Sequence, residues 1–81
     1  MQVAVDISLY PLADDFLPPI QDVIERLNTY KSIEVQTNPM STQIRGEYDH
    51  VMAALSEAMK KTFEETPKAV FAMRILNNPM Q

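Results

Sequence analysis

The chain has no cysteine, no tryptophan, one glycine and one histidine among 81 residues. Without cysteine there is no disulfide and no thiolate metal ligand. A lone histidine, His50, argues against a zinc site, and no metal or other cofactor is expected. With Gly46 as the sole glycine, neither a phosphate-cradling loop nor a dinucleotide fingerprint can be built. Positive charge is also scarce: seven Lys/Arg against eleven Asp/Glu leave a formal net charge of −4. Lys60-Lys61 is the one adjacent basic pair, so no phosphate-binding stripe exists and a nucleic-acid partner is not expected. No apolar run approaches the ~18 residues that span a bilayer, and no basic segment leads into a short apolar core. The expectation is a soluble, cytoplasmic protein with no membrane partner.

A chain of this length makes one domain and buries only about 60% of the surface its unfolded form exposes. Domains this small often draw stability from disulfides, metals or association. The first two are set aside by composition, so a homo-oligomer is expected, a dimer or tetramer joined through sheet faces or edges.

What is present is patterning. Residues 2–10 alternate with Val3, Val5, Ile7 and Leu9 on one side, a strand that Pro11 is expected to end. Asp14 or Asp15 can cap a helix whose first turn holds Pro18 and Pro19. Ile20, Val23, Ile24 and Leu27 then follow helical spacing to about Tyr30. Residues 33–38 alternate again, Asn38-Pro39 signals a turn, and residues 40–46 return as a strand, making a hairpin. Tyr48, Val51, Met52, Leu55, Met59 and Phe63 form the stripe of a second helix. Glu47 and Asp49 read as first-turn acids, and Lys60-Lys61 as complements to the dipole toward its end. Residues 69–76 are the last strand, and Asn77-Asn78-Pro79 a tail. The order βαββαβ predicts an α+β, ferredoxin-like sandwich: a four-stranded antiparallel sheet with two helices on one face. The first strand is expected between the third and the fourth.

The parity of each strand assigns its side chains to faces. Toward the helices go Val3, Val5, Ile7, Leu9, Ile33, Val35, Thr37, Met40, Thr42, Ile44, Phe71, Met73 and Ile75. The other face carries Asp6, Ser8, Tyr10, Glu34, Gln36, Asn38, Ser41, Gln43, Arg45, Val70, Ala72 and Arg74. Asp6 is unusual in a central strand. It is either a solvated residue on an open sheet or part of a polar network at a subunit interface. In the second case it needs partners, since a buried unpaired carboxylate is costly. Arg45 and Arg74 share its facing, and an Arg–carboxylate pair can be bidentate. Asp6, Gln43, Arg45 and Arg74 are the candidate interface residues.

Thr37 and Thr42 are the second unusual feature, because both turn hydroxyls toward an apolar layer. Each can satisfy itself locally. Alternatively they line a pocket in which Leu9, Met40 and Met52 supply apolar, adaptable walls. The ingredients of a triad, Ser41, Asp49 and His50, come without a nucleophile elbow or a glycine-rich oxyanion loop. No catalytic residue is assigned and no enzyme is expected. The six methionines suit a core better than a metal box.

Several short segments resemble one family in order and spacing. They are Ser8-Leu9-Tyr10-Pro11, Asp14-Asp15-Phe16, Ser41-Thr42-Gln43-Ile44-Arg45-Gly46, and Tyr48-Asp49-His50-Val51. Together they resemble the YkoF-like thiamine/hydroxymethylpyrimidine-binding family, over most of the chain. The resemblance implies a ferredoxin-like fold, assembly through the sheets, and binding of thiamine or its hydroxymethylpyrimidine precursor rather than catalysis. Some members carry two such domains in tandem, whereas this chain carries one. The carry-over reaches Ser8, Leu9, Thr37 and Thr42. Tyr10, Asn38, Met40 and Ser41 adjoin them and complete the candidate ligand set. Tyr10 or Tyr48 can stack on a ring or meet a thiazolium charge. For Asp6 the resemblance favours the interface. The competing expectation is a structural or regulatory homo-oligomeric assembly module with no thiamine ligand.

Overall fold

The computed structural model describes residues 1–12 and 14–79. The elements run β1 (Gln2–Pro11), α1 (Leu17–Leu27), β2 (Ile33–Thr37), β3 (Thr42–Glu47), α2 (Tyr48–Glu65) and β4 (Ala69–Asn77). The strands form one antiparallel sheet in the order β2-β3-β1-β4. This is the predicted ferredoxin-like arrangement, with β1 between β3 and β4.

Alternation fixes the register. Val5 lies opposite Ile44 on one side and Ile75 on the other, and Val3 opposite Gly46 and Asn77. Val3, Val5, Ile7, Leu9, Ile33 and Ile44 form the sheet half of the core. Val23 and Leu27 of α1 and Val51, Ala54, Leu55 and Ala58 of α2 close it. The helical approach is tight at Gly46. A Cβ built there would stand 3.2 Å from Val51 Cγ2 and 3.4 Å from Ile33 Cγ2.

The structure departs from the sequence reading at the ends of elements. Neither Asp14 nor Asp15 caps α1, which begins at Leu17 after Phe16 without a side-chain cap. Pro18 and Pro19 have no N–H, so the first turn has fewer donors that need one. The helix ends at Leu27, not Tyr30. Asn28 Nδ2 donates to Ile24 O at 2.8 Å and Thr29 Oγ1 to Arg26 O at 2.7 Å, so short polar side chains claim the last carbonyls. Pro11 ends β1 as expected, as its last residue, and pairs with Ala69. The β3 ladder stops at Ile7, so β1 has one neighbour here and a missing donor on the vacant side costs nothing.

The face of α2 is rotated from the expected stripe. Val51, Ala54, Leu55, Ala58 and Thr62 are buried, while Tyr48 and Phe63 are exposed. Small residues let the helix lie close to the sheet. Glu47 ends β3 and is itself the N-cap, accepting from Asp49 N at 2.9 Å, so strand passes into helix with no loop. The last turn of α2 carries Glu64 and Glu65 and no base, so Lys60-Lys61 sit too early for the expected dipole role. Among the methionines, Met52, Met59 and Met73 pack on the core, whereas Met1 and Met40 are exposed. Met80 lies outside the described residues. Ile75, expected beneath the helices, is exposed near the end of edge strand β4.

A candidate ligand cleft at the hairpin end

β1 outruns β3 at the end of the sheet where the β2–β3 hairpin turns. The turn is shaped by its first residue. Asn38 Oδ1 accepts from Met40 N at 2.9 Å and Ser41 N at 3.1 Å, and Asn38 N donates to Ser41 O at 3.0 Å. This arrangement of an Asx turn takes Met40 and Ser41 out of the strand in which they were expected. Met40 is therefore not a core-facing strand residue. It is 86% exposed at the turn's tip.

Between this turn, the end of β1 and α1 lies a cleft of about 200 Å³. β1 contributes Ser8, Leu9 and Tyr10; the hairpin contributes Thr37, Asn38, Met40, Ser41 and Thr42. The structure thus brings all eight candidate ligand residues to one place, on the helix side of the sheet. Sequence reasoning missed the opposite wall, made of Ile20, Val23, Ile24 and Leu27, and the contribution of Phe71. The α1 stripe was visible as a core face. That its outer part is left uncovered depends on how far the hairpin reaches, which periodicity does not carry.

Among the described residues the lining holds no charged side chain. Its polarity comes from hydroxyls and one amide over an apolar floor. Thr37 and Thr42, the last rung of the β2–β3 ladder, set their hydroxyls 3.2 Å apart. Thr42 is only 6% exposed. The two threonines satisfy one another, and each keeps spare hydrogen-bonding capacity. A site with a mostly apolar wall and a few placed polar groups suits a flat, neutral heterocycle.

The opposite face of the sheet is charged. Asp6, Gln43, Arg45 and Arg74, the candidate interface residues, meet there around a shallow depression of about 350 Å³. Arg74 lies directly across from Asp6, and its Nη2 stands 2.6 Å from Asp6 Oδ2. Arg45 lies opposite Ala4 and Glu34. The Ser41 hydroxyl donates to Asp6 Oδ1, a contact the sequence reading missed. The hydrogen bond from Ser41, then that from Arg74, hold the Asp6 carboxyl below its usual range. Of the triad ingredients, the Ser41 hydroxyl is given to Asp6, and His50 is exposed on α2. Among the described residues no three His, Cys, Asp or Glu side chains stand together to hold a metal. No described helix is long and apolar enough to cross a membrane.

The sequence matches the family of thiamine-binding proteins over residues 5–80. The chain belongs to that family. The sequence is 40% identical over 47 residues to YkoF of Bacillus subtilis, a protein provisionally named for HMP/thiamine binding. That alignment covers 58% of this chain and 23% of YkoF, so the chain spans under a quarter of that relative's length. The fold recurs in a Streptococcus pneumoniae protein with a TM-score of 0.90 and 24% identity, over 99% of this chain and 90% of that one. It recurs as well in a Thermotoga maritima protein, provisionally described as serving thiamine biosynthesis or salvage. The TM-score there is 0.83 at 21% identity, over 93% of this chain and 82% of the other.

Proposed function

We propose that this protein binds thiamine or its hydroxymethylpyrimidine precursor without turning it over, and sequesters, salvages or delivers it in the cytoplasm. The observation that carries the reading is the uncharged cleft with the paired Thr37 and Thr42 hydroxyls on its wall. An aminopyrimidine edge offers donors and acceptors side by side, and a hydroxyl pair can serve both. The cleft is smaller than the ~300–1,000 Å³ of sites that enclose drug-sized ligands. It suits one ring, so the pyrimidine enters and the thiazolium of thiamine stays at the mouth, beside Tyr10. Among the described residues the lining offers hydroxyls, an amide and apolar groups, which suits the neutral pyrimidine better than the cation.

Melting curves with each compound test the proposal. At a hundredfold excess over the dissociation constant, ligand adds about 2.7 kcal/mol, a shift on the order of 10 °C for a domain this small. Calorimetry on Thr42→Val then shows an affinity at least about tenfold weaker, the consequence of one lost hydrogen bond and an unpaired Thr37. No shift with either compound at millimolar concentration overturns the reading.

A second reading rests on the other face. Asp6, Gln43, Arg45 and Arg74 form a polar patch beside exposed Ile75 and Leu76. A second copy stacked there would give a homo-oligomer, a dimer or tetramer, and the same surface would serve an assembly module that holds no vitamin. The two readings part at Thr42, which matters to the first alone.

A further inference from the structure

We propose that Asp6 positions the wall of the ligand cleft from the opposite face of the sheet, acting through Ser41. The inference rests on the cleft being the ligand site. The β1–β3 ladder ends at the rung Ile7–Thr42, and the β2–β3 ladder at Thr37–Thr42. The turn from Asn38 to Ser41 projects beyond both. The bonds made by Asn38 lie inside the turn, so they give it shape without tying it to the sheet. A tether to β1 comes from the Ser41 hydroxyl, one residue beyond the last rung, which donates back to Asp6 Oδ1 inside the ladder. The other carboxylate oxygen takes Arg74 Nη2 at 2.6 Å from β4. One carboxylate thus joins β1, β4 and the hairpin turn.

The turn has two sides. On the helix side Asn38, Met40 and Ser41 line the uncharged cleft. On the open side the same three residues border a broad depression with Asp6 and Arg74. Asp6 does not line the helix-side cleft, so it is a positioning residue and touches no ligand there. A wall held before ligand arrives need not be ordered by binding, and affinity is higher for it. The sheet keeps the charge on one face and uses its geometry on the other. This also accounts for a carboxylate in a central strand without placing it against the ligand.

The test uses Asp6→Ala, Asp6→Asn, Ser41→Ala and the double alanine variant. Two readouts apply: amide hydrogen exchange at Met40 and Ser41 in the free protein, and calorimetry with thiamine and with hydroxymethylpyrimidine. Asp6→Ala and Ser41→Ala should each speed exchange in the turn and weaken binding about five- to tenfold, the scale of one hydrogen bond. Asp6→Asn keeps an oxygen that accepts from Ser41 and should restore most of the affinity. The double variant should be no worse than the weaker single one, because the two residues act as a unit. Ser41→Ala leaves the Asp6–Arg74 pair in place, so its effect comes from the turn and not from the open face. It also tests the link should Asp6→Ala fail to fold. Unchanged exchange at Met40 and Ser41 in Ser41→Ala overturns the proposal, as does affinity that falls equally in Asp6→Asn and Asp6→Ala. If the unaltered protein binds neither compound, the functional reading fails, and the exchange rates alone decide the role of Asp6.

Discussion

Gly46 shows how one residue sets the spacing of a layer. Its φ is not positive, so conformational freedom is not why glycine stands there. The reason is room: a methyl group there would crowd Val51, fully buried and stiff about χ1, at 3.2 Å. Gly46→Ala should therefore lower stability by about 1 kcal/mol, despite the better strand propensity of alanine, as read by urea titration. Glu47, the next residue, has its carboxyl held below the usual range, first by the Asp49 N–H and then by the Met1 ammonium 3.5 Å away. For Glu47 and Asp6 alike the folded form binds protons less readily than the unfolded form. Their stabilisation is present above the ordinary carboxylate range, about 4, and is lost as pH falls through the lower folded values. The melting temperature should drop on acidification through that window, and Glu47→Gln should make the drop shallower. None of these roles could be read from residue type alone. Glu47 looked like any first-turn acid, and the Asp6–Ser41 bond joins residues 35 positions apart.

At the scale of the element, the strands were legible and their ends were not. Four alternating apolar residues made β1 plain, and the helix spacing of Ile20 to Leu27 did the same for α1. The hairpin misled because Met40 and Ser41 continue the alternation of β3 while Asn38 draws both amides into a turn. A side chain competing for backbone donors leaves no mark on hydrophobic period. The stripe of α2 misled differently. Counting only large apolar residues hid the small ridge of Ala54 and Ala58, which faces the core. That ridge predicts Ala58→Leu to cost about 1–3 kcal/mol by overpacking, whereas Phe63→Leu, on an exposed position, should change stability far less. Thermal or urea unfolding of the pair checks both.

At the scale of the whole molecule, the sheet separates two chemistries. The helix side at the hairpin end offers an uncharged cleft, and the open side offers Asp6, Arg45 and Arg74. Facing parity put Leu9, Thr37 and Thr42 on the cleft side and Asp6, Arg45 and Arg74 on the other, but it set Ser8, Tyr10, Asn38 and Ser41 on the open face, so the β1 and hairpin parts of the cleft were legible only in part. The α1 wall was not, because it depends on packing between elements distant in sequence. If copies associate through the open face, Arg74→Glu sets like charges side by side, and sedimentation should show a smaller particle. An unchanged particle size argues that the copies meet elsewhere or not at all. The seamless passage from β3 into α2 at Glu47 has one more consequence, for how such a chain can change in length. A residue inserted there would turn the helix by about 100°, or slip the strand and exchange its two faces. The Thr42 hydroxyl, the Gly46 gap and the Val51 side chain would then lose their alignment together. Homologues of this protein should differ in length at the Asn28–Ser32 connection or the chain ends, and keep the count from Thr42 to Leu55 fixed.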